Sequence, residues 1–270
     1  MLVRLIRWFL GILLSLYVLI NGMVYVFQQY FIFQPDRLEA TYSFDFEAPF
    51  EEYFLDTGDG ERINALLFKT RLPKKGILLY FHGNSDNLQR WGQYQSDFSQ
   101  RGYDVFMIDY RAYGKSTGQL GETKMYQDAL LVYEWARSTH EPEEIVIYGR
   151  SLGTAVASNL ASRVAARMLV LETPFDNMHQ LLKTRFPFLL LPEVRYRFPN
   201  DRHLAEVHMP VYIFQGTQDR IVPYQVAERL KPILKSEDRF ITISGGAHRN
   251  LSQFQDYQQH LDRVLGIDEF

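Results

Sequence analysis

The chain has 270 residues, of which 46% are hydrophobic, 15% aromatic and 23% charged, so it can bury a full core and is neither a disordered nor a collagenous polymer. Its formal net charge of −3 offers no general attraction for phosphates, so no nucleic-acid partner is expected. It holds no cysteine, which excludes disulfides, iron–sulfur clusters, thiolate zinc sites, a cysteine nucleophile and an acylated cysteine anchor.

From Trp8 to Phe33 the chain carries no formal charge. A bilayer core of roughly 30 Å needs about 20 apolar residues at about 1.5 Å each, and residues 8–27 supply that length. Residues 1–34 are therefore expected to be an N-terminal membrane anchor, and residues 35–270 one globular domain. The run exceeds the roughly 7–15 residues of a signal-peptide core and no A-x-A-like site follows it, which favours an uncleaved anchor. Arg4 and Arg7 precede the run, whereas residues 34–60 hold Arg37 against eight acids. By the positive-inside rule the N-terminus is expected in the cytoplasm and the domain on the outer, periplasmic or luminal, face. Without Arg4 and Arg7 the net charge is −5, so the helix rather than surface charge is expected to hold the membrane.

Residues 52–56 and 63–69 read as an antiparallel pair around Gly58-Asp59-Gly60. Short apolar runs suited to buried parallel strands follow at 76–83, 103–110, 144–149, 167–172, 209–216 and 239–245. Helical segments are expected at about 91–100, 124–138, 152–163, 223–234 and 251–265. This alternation predicts the α/β class, with a mostly parallel, doubly wound sheet. The rhythm breaks between Thr173 and Val207, where FPFLLLP (186–192) precedes Arg195, Arg197 and Arg202. That stretch reads as either a short cap insertion or a plain loop over the sheet edge.

The pattern G-x-S-x-G occurs twice, as GKSTG (114–118) and GRSLG (149–153). A nucleophile elbow needs serine on a tight turn directly between strand and helix. Ser151 follows EIVIYG without a spacer and opens a run of small residues suited to a closely packed helix. Ser116 is followed by TGQLGE, a turn, and reads as a loop serine. GKST also imitates a phosphate loop, but Asp109 stands where that motif needs its first glycine, so nucleotide binding is not expected.

Serine needs a base to take its proton and a carboxylate to orient that base. Asp219 follows the run at 209–216 and His248 follows the run at 239–245, so both emerge at the sheet edge where Ser151 projects. Asp176 is the rival carboxylate; the loop after the penultimate strand favours Asp219. His140, His179, His203, His208 and His260 read as structural or solvated. Oxyanion donors are expected from the backbone N–H groups of Leu152 and Asn84, with His82 shaping the loop.

With HGN (82–84), DYRAYGKSTG (109–118), GRSLG (149–153), GTQDRIVP (216–223) and GGAHRNL (245–251) in this order, the chain resembles the α/β-hydrolase superfamily over about residues 50–265. It is similar to the membrane-anchored HGN-type serine hydrolases, a group that includes depalmitoylases and bacterial inner-membrane relatives. The resemblance implies a triad of Ser151, Asp219 and His248 with oxyanion donors at Asn84 and Leu152. Ala112 departs from the glycine usual in the DYRGYG string, and HGNSDN departs from the commoner HGNAGN.

The expected activity is hydrolysis of a carboxylic ester or thioester of a hydrophobic acyl group, with residues 186–192 as a pocket wall beside the membrane. A lipid-like acyl substrate is expected, and neither a cofactor nor a metal. The alternatives are a serine aminopeptidase-like peptidase or amidase, and a non-catalytic membrane-tethered scaffold, since this fold hosts many chemistries.

Overall fold

A computed structural model of the chain describes residues 1–188 and 194–266. Helix α1 (Leu2–Ile32) is long and apolar enough to cross a membrane. Its polar side chains turn back on the helix itself: Ser15 Oγ donates to the Gly11 carbonyl at 2.9 Å and Asn21 Nδ2 to the Tyr17 carbonyl at 2.8 Å. Such bonding leaves apolar surface facing outward along almost the whole helix, where only Gln28 and Ile32 are buried.

A short strand β1 (Gln34–Pro35) leads to the hairpin β2 (Phe50–Asp56) and β3 (Arg62–Phe68). Then come β4 (Gly76–Phe81), β5 (Ser85–Asp86), α2 (Leu88–Trp91), α3 (Ser96–Ser99), β6 (Tyr103–Ile108) and α4 (Glu122–Arg137). The second half runs β7 (Ile145–Arg150), α5 (Gly153–Ala161), β8 (Met168–Glu172), α6 (Met178–Arg185), α7 (Asn200–Ala205), β9 (Val211–Gly216), α8 (Tyr224–Glu228), β10 (Arg239–Ile243) and α9 (Gln255–Val264).

Eight strands form one sheet in the order β10-β9-β8-β7-β4-β6-β3-β2. The six from β10 to β6 are parallel, and β3 and β2 extend the edge antiparallel. The central strands are apolar on both faces because helices cover both. Ile77, Leu79 and Phe81 pack with Ile145, Ile147 and residues of α4 and α5. Leu78, Tyr80, Val146 and Tyr148 pack on the opposite side with residues of α9 and the α2–α3 segment. This is the α/β-hydrolase arrangement anticipated from the sequence.

Two expected helices differ, and one open alternative is decided. The helix placed at 91–100 is a chain of short turns, α2, a 3₁₀ turn (Gly92–Gln95) and α3. At its bend a Cβ on Gly92 would lie 2.4 Å from the Phe46 ring. The helix placed at 223–234 stops at Glu228 and gives way to a 3₁₀ turn containing Pro232, which has no N–H for a helical bond. The 173–207 gap holds α6 and α7, so a plain loop is not what fills it. Asn177 caps α6 by accepting from Gln180 N at 3.0 Å, and Asn200 of α7 donates to the Phe175 carbonyl at 2.8 Å.

Candidate active site

Three loops bring polar groups together at the C-terminal edge of the sheet. Strand β7 ends at Arg150 and α5 begins at Gly153, leaving Ser151 in the left-handed region with φ 53°. This is the strained turn that lifts a serine hydroxyl clear of its neighbours. The turn is possible because a Cβ on Gly153 would meet the Phe81 carbonyl oxygen at 1.9 Å, and one on Gly149 would meet the Gly153 carbonyl oxygen at 2.4 Å.

Ser151 Oγ lies 2.9 Å from His248 Nε2, and His248 Nδ1 lies 2.8 Å from Asp219 Oδ2. Asp219 is 5% exposed, and its oxygens are fully engaged. Oδ1 accepts from the N–H groups of Ile221 and Val222, each at 2.8 Å, while Oδ2 also accepts from Gln215 Nε2 at 3.2 Å. A carboxylate fixed in this way holds the proton on Nδ1, so that Nε2 presents its lone pair to the serine. The rival Asp176 is turned elsewhere: it accepts from Asn177 N at 2.8 Å and approaches Arg229 Nη1 at 3.3 Å.

The loop after β4 closes the other side. A Cβ on Gly83 would lie 3.5 Å from Ser151 Cβ, so the loop runs directly against the serine. The backbone N–H groups of Asn84 and Leu152 donate to no other protein group among the described residues. Gly83, Asn84, Trp91, Ser151, Ile221 and His248 border a narrow cleft. Phe186 and Phe188 do not face this cleft; they are exposed, and the Phe188 carbonyl accepts from Tyr17 of α1 at 2.9 Å. These two therefore depart from the expected pocket wall, and residues 189–192 of that expectation lie outside the described residues.

Sequence reasoning missed how the loop is held. Its three consecutive carbonyls are all taken: Tyr110 Oη donates to His82 O at 2.7 Å, His82 Nδ1 to Gly83 O at 2.7 Å, and Tyr113 Oη to Asn84 O at 2.7 Å. The DYRAYG string thus supplies two tyrosines to the loop, a role that its family resemblance left unread. His82 Nε2 lies 3.3 Å from Asp109 Oδ1, both side chains being fully buried, and burial pushes the Asp109 carboxyl up. His82 does not bond to the serine. Ser116 is likewise structural, donating to the Asp109 carbonyl at 2.7 Å and accepting from Asn64 N at 2.8 Å.

Beneath Ser151, Arg150 Nε stands 3.0 Å from Glu172 Oε1, and its guanidinium stacks over Tyr94 at 4.5 Å. Glu172 Oε2 also accepts from Tyr257 Oη at 2.8 Å and from Tyr148 Oη.

Comparison with known proteins agrees with this fold. The family profile described as "Serine aminopeptidase, S33" matches residues 73–203. An uncharacterised protein of Mycobacterium tuberculosis is 30% identical over 214 residues, covering 78% of this chain and 76% of its own. Lysophosphatidylserine lipase ABHD12 of Danio rerio is 32% identical over 177 residues, covering 57% of this chain and 46% of its own, so the chain spans about half the length of that relative. Among solved structures, Pyrococcus furiosus esterase Pf2001 superposes with a TM-score of 0.68 at 16% identity, covering 87% of this chain and 96% of that one. Est1E of Butyrivibrio proteoclasticus gives 0.61 at 20% identity, covering 80% and 95%.

Proposed function

Because the chain belongs to the α/β-hydrolase superfamily, we propose that it is a serine hydrolase cleaving a carboxylic ester or thioester of a hydrophobic acyl group. The observation that carries this reading is the unbroken hydrogen-bonded path from Ser151 through His248 to Asp219. Ser151 Oγ attacks the acyl carbonyl while His248 Nε2 takes its proton, and Asp219 stabilises the imidazolium. The N–H groups of Asn84 and Leu152 receive the oxyanion. His248 returns the proton to the leaving oxygen or sulfur, leaving an acyl-enzyme. Water activated by the same histidine then releases the acid and restores Ser151.

Substrate class follows from the surroundings. Helix α1 is read as a single membrane span, residues 1–34 as the anchor and residues 35–270 as the catalytic domain, held on the outer face by the charge bias around the span. A lipid-like acyl chain is the substrate a membrane supplies to a cleft bordered by Trp91 and Ile221. Arg90 and Arg249 border the same cleft and form no ion pair among the described residues, although Asp86 lies nearby. Two free guanidiniums favour an anionic head group on the ester, the chemistry carried by the lysophosphatidylserine named for the ABHD12 relatives.

A peptidase or amidase reading is favoured by one observation, the description of the matching family profile. Turnover of purified full-length chain on acyl esters, a lysolipid ester and aminoacyl anilides separates the two. Ester hydrolysis with inert anilides supports the lipase-like reading, and the reverse overturns it.

A further inference from the structure

The exit of the membrane helix is bonded to the loop that carries Asn84. Ile32 is the last residue of α1, and its carbonyl has no partner within the helix. Asn84 Nδ2 supplies that partner at 2.9 Å. Two residues on, Gln34 N donates to the Asn84 carbonyl at 2.8 Å, and β1 pairs in parallel with β5, Gln34 against Ser85 and Pro35 against Asp86. Asp36 continues the contact: its carbonyl accepts from Gly114 N at 2.9 Å and its carboxylate from Asn87 Nδ2 at 2.9 Å.

The same short segment is locked from behind. Ile32 and Phe33 are 5% and 4% exposed, and the Phe33 ring meets Tyr196 edge-on at 4.9 Å. A mere tether would leave the domain through exposed, weakly bonded chain. Here Ile32 and Phe33 are instead built into the core, and Gln34, Pro35 and Asp36, although exposed, are bonded to the loop that carries Asn84.

We propose that residues 32–36 are a positioning strap for the oxyanion loop, so that the membrane helix and the catalytic machinery form one mechanical unit. This rests on the serine hydrolase reading above. The strap fixes both the side chain and the carbonyl of Asn84, and thereby aims its backbone N–H at the reacting carbonyl. Residues 32–36 touch no substrate; they act through Asn84.

The test uses the full chain in detergent micelles. Gln34→Pro removes the N–H that holds the Asn84 carbonyl, and Asn84→Ala removes the amide that holds Ile32 while keeping the backbone donor. A misaimed oxyanion donor should lower kcat by about 10- to 100-fold with KM changed less than about twofold. The melting temperature should stay near that of the wild type, and hydrogen exchange across residues 82–86 should speed up. Gln34→Ala, which keeps the N–H and trims only an exposed side chain, should restore both turnover and protection. Wild-type kcat and exchange in Gln34→Pro and Asn84→Ala would overturn the strap. So would a fall of kcat in Gln34→Pro and Asn84→Ala matched by a fall of their melting temperatures, which would mark the segment as structural only. A wild type that reacts with no fluorophosphonate would instead refute the hydrolase reading, and exchange across 82–86 would still decide whether the strap holds the loop.

Discussion

Arg150 and Glu172 face each other at 3.0 Å directly beneath the Ser151 turn, with side chains 5% and 3% exposed. Each is costly to bury alone, and together with Tyr148 and Tyr257 they form a closed polar cluster. Glu172→Gln keeps the shape and the acceptor for the tyrosines but strands the guanidinium. Breaking such a pair on one side should destabilise the domain by about 3–5 kcal/mol in chemical denaturation. An unchanged denaturation midpoint would show that the ion pair contributes nothing to stability.

Asp219→Asn tests the orientation of the histidine while keeping the backbone contacts of Oδ1. The carboxamide oxygen of the variant can still accept from the N–H groups of Ile221 and Val222, so the fold should persist. Its NH₂ group, however, would donate toward Nδ1 and move the proton to Nε2, the wrong nitrogen for a base. Turnover should fall by about 10⁴-fold, the scale seen when the same change is made in a serine protease triad, with circular dichroism unchanged. A loss below about tenfold would make Asp219 a loop carboxylate rather than the orienting acid.

Gly153→Ala places a Cβ 1.9 Å from the Phe81 carbonyl oxygen and 2.6 Å from that of His82. Backbone must move to admit it, and both neighbours belong to the strand and loop that frame Ser151. Stability should drop by about 1–3 kcal/mol, with loss of turnover exceeding what unfolding explains. Full activity would mean that α5 can slide away from β4.

Asp97 couples stability to pH. Burial, then the charge of Glu172, pushes its carboxyl up to about 6 from an ordinary 3.8, with Arg101 opposing. The folded chain therefore holds this proton more tightly than the unfolded chain does. Its contribution is complete below the unfolded value and is lost as pH rises through about 6. Asp97→Asn should flatten the melting temperature between about pH 4 and pH 7 and leave the variant the more stable protein at neutral pH. Identical pH profiles for the two proteins would contradict the assignment.

The parallel strands were legible because strands buried on both faces are continuous apolar runs, as in ILLYF of β4 and IVIY of β7. Ser151, Asp219 and His248 were legible as candidates because each follows such a run. Ala112 departs from the glycine usual in its string, and its φ of 67° shows why glycine is usual there. Helices α6 and α7 left little trace, since side-chain bonds from Asn177 and Asn200 hold them rather than an apolar period. The bond from Asn84 to Ile32 joins residues 52 apart in sequence, and no local pattern announces a contact of that kind.

The most direct test of the account is fluorophosphonate labelling of the full-length wild type and of Ser151→Ala, with hydrolysis of p-nitrophenyl esters of increasing chain length read alongside. The wild type alone should be labelled, and its rates should rise toward longer acyl chains. Equal labelling of Ser151→Ala, or none of a folded wild type, would contradict the serine hydrolase reading.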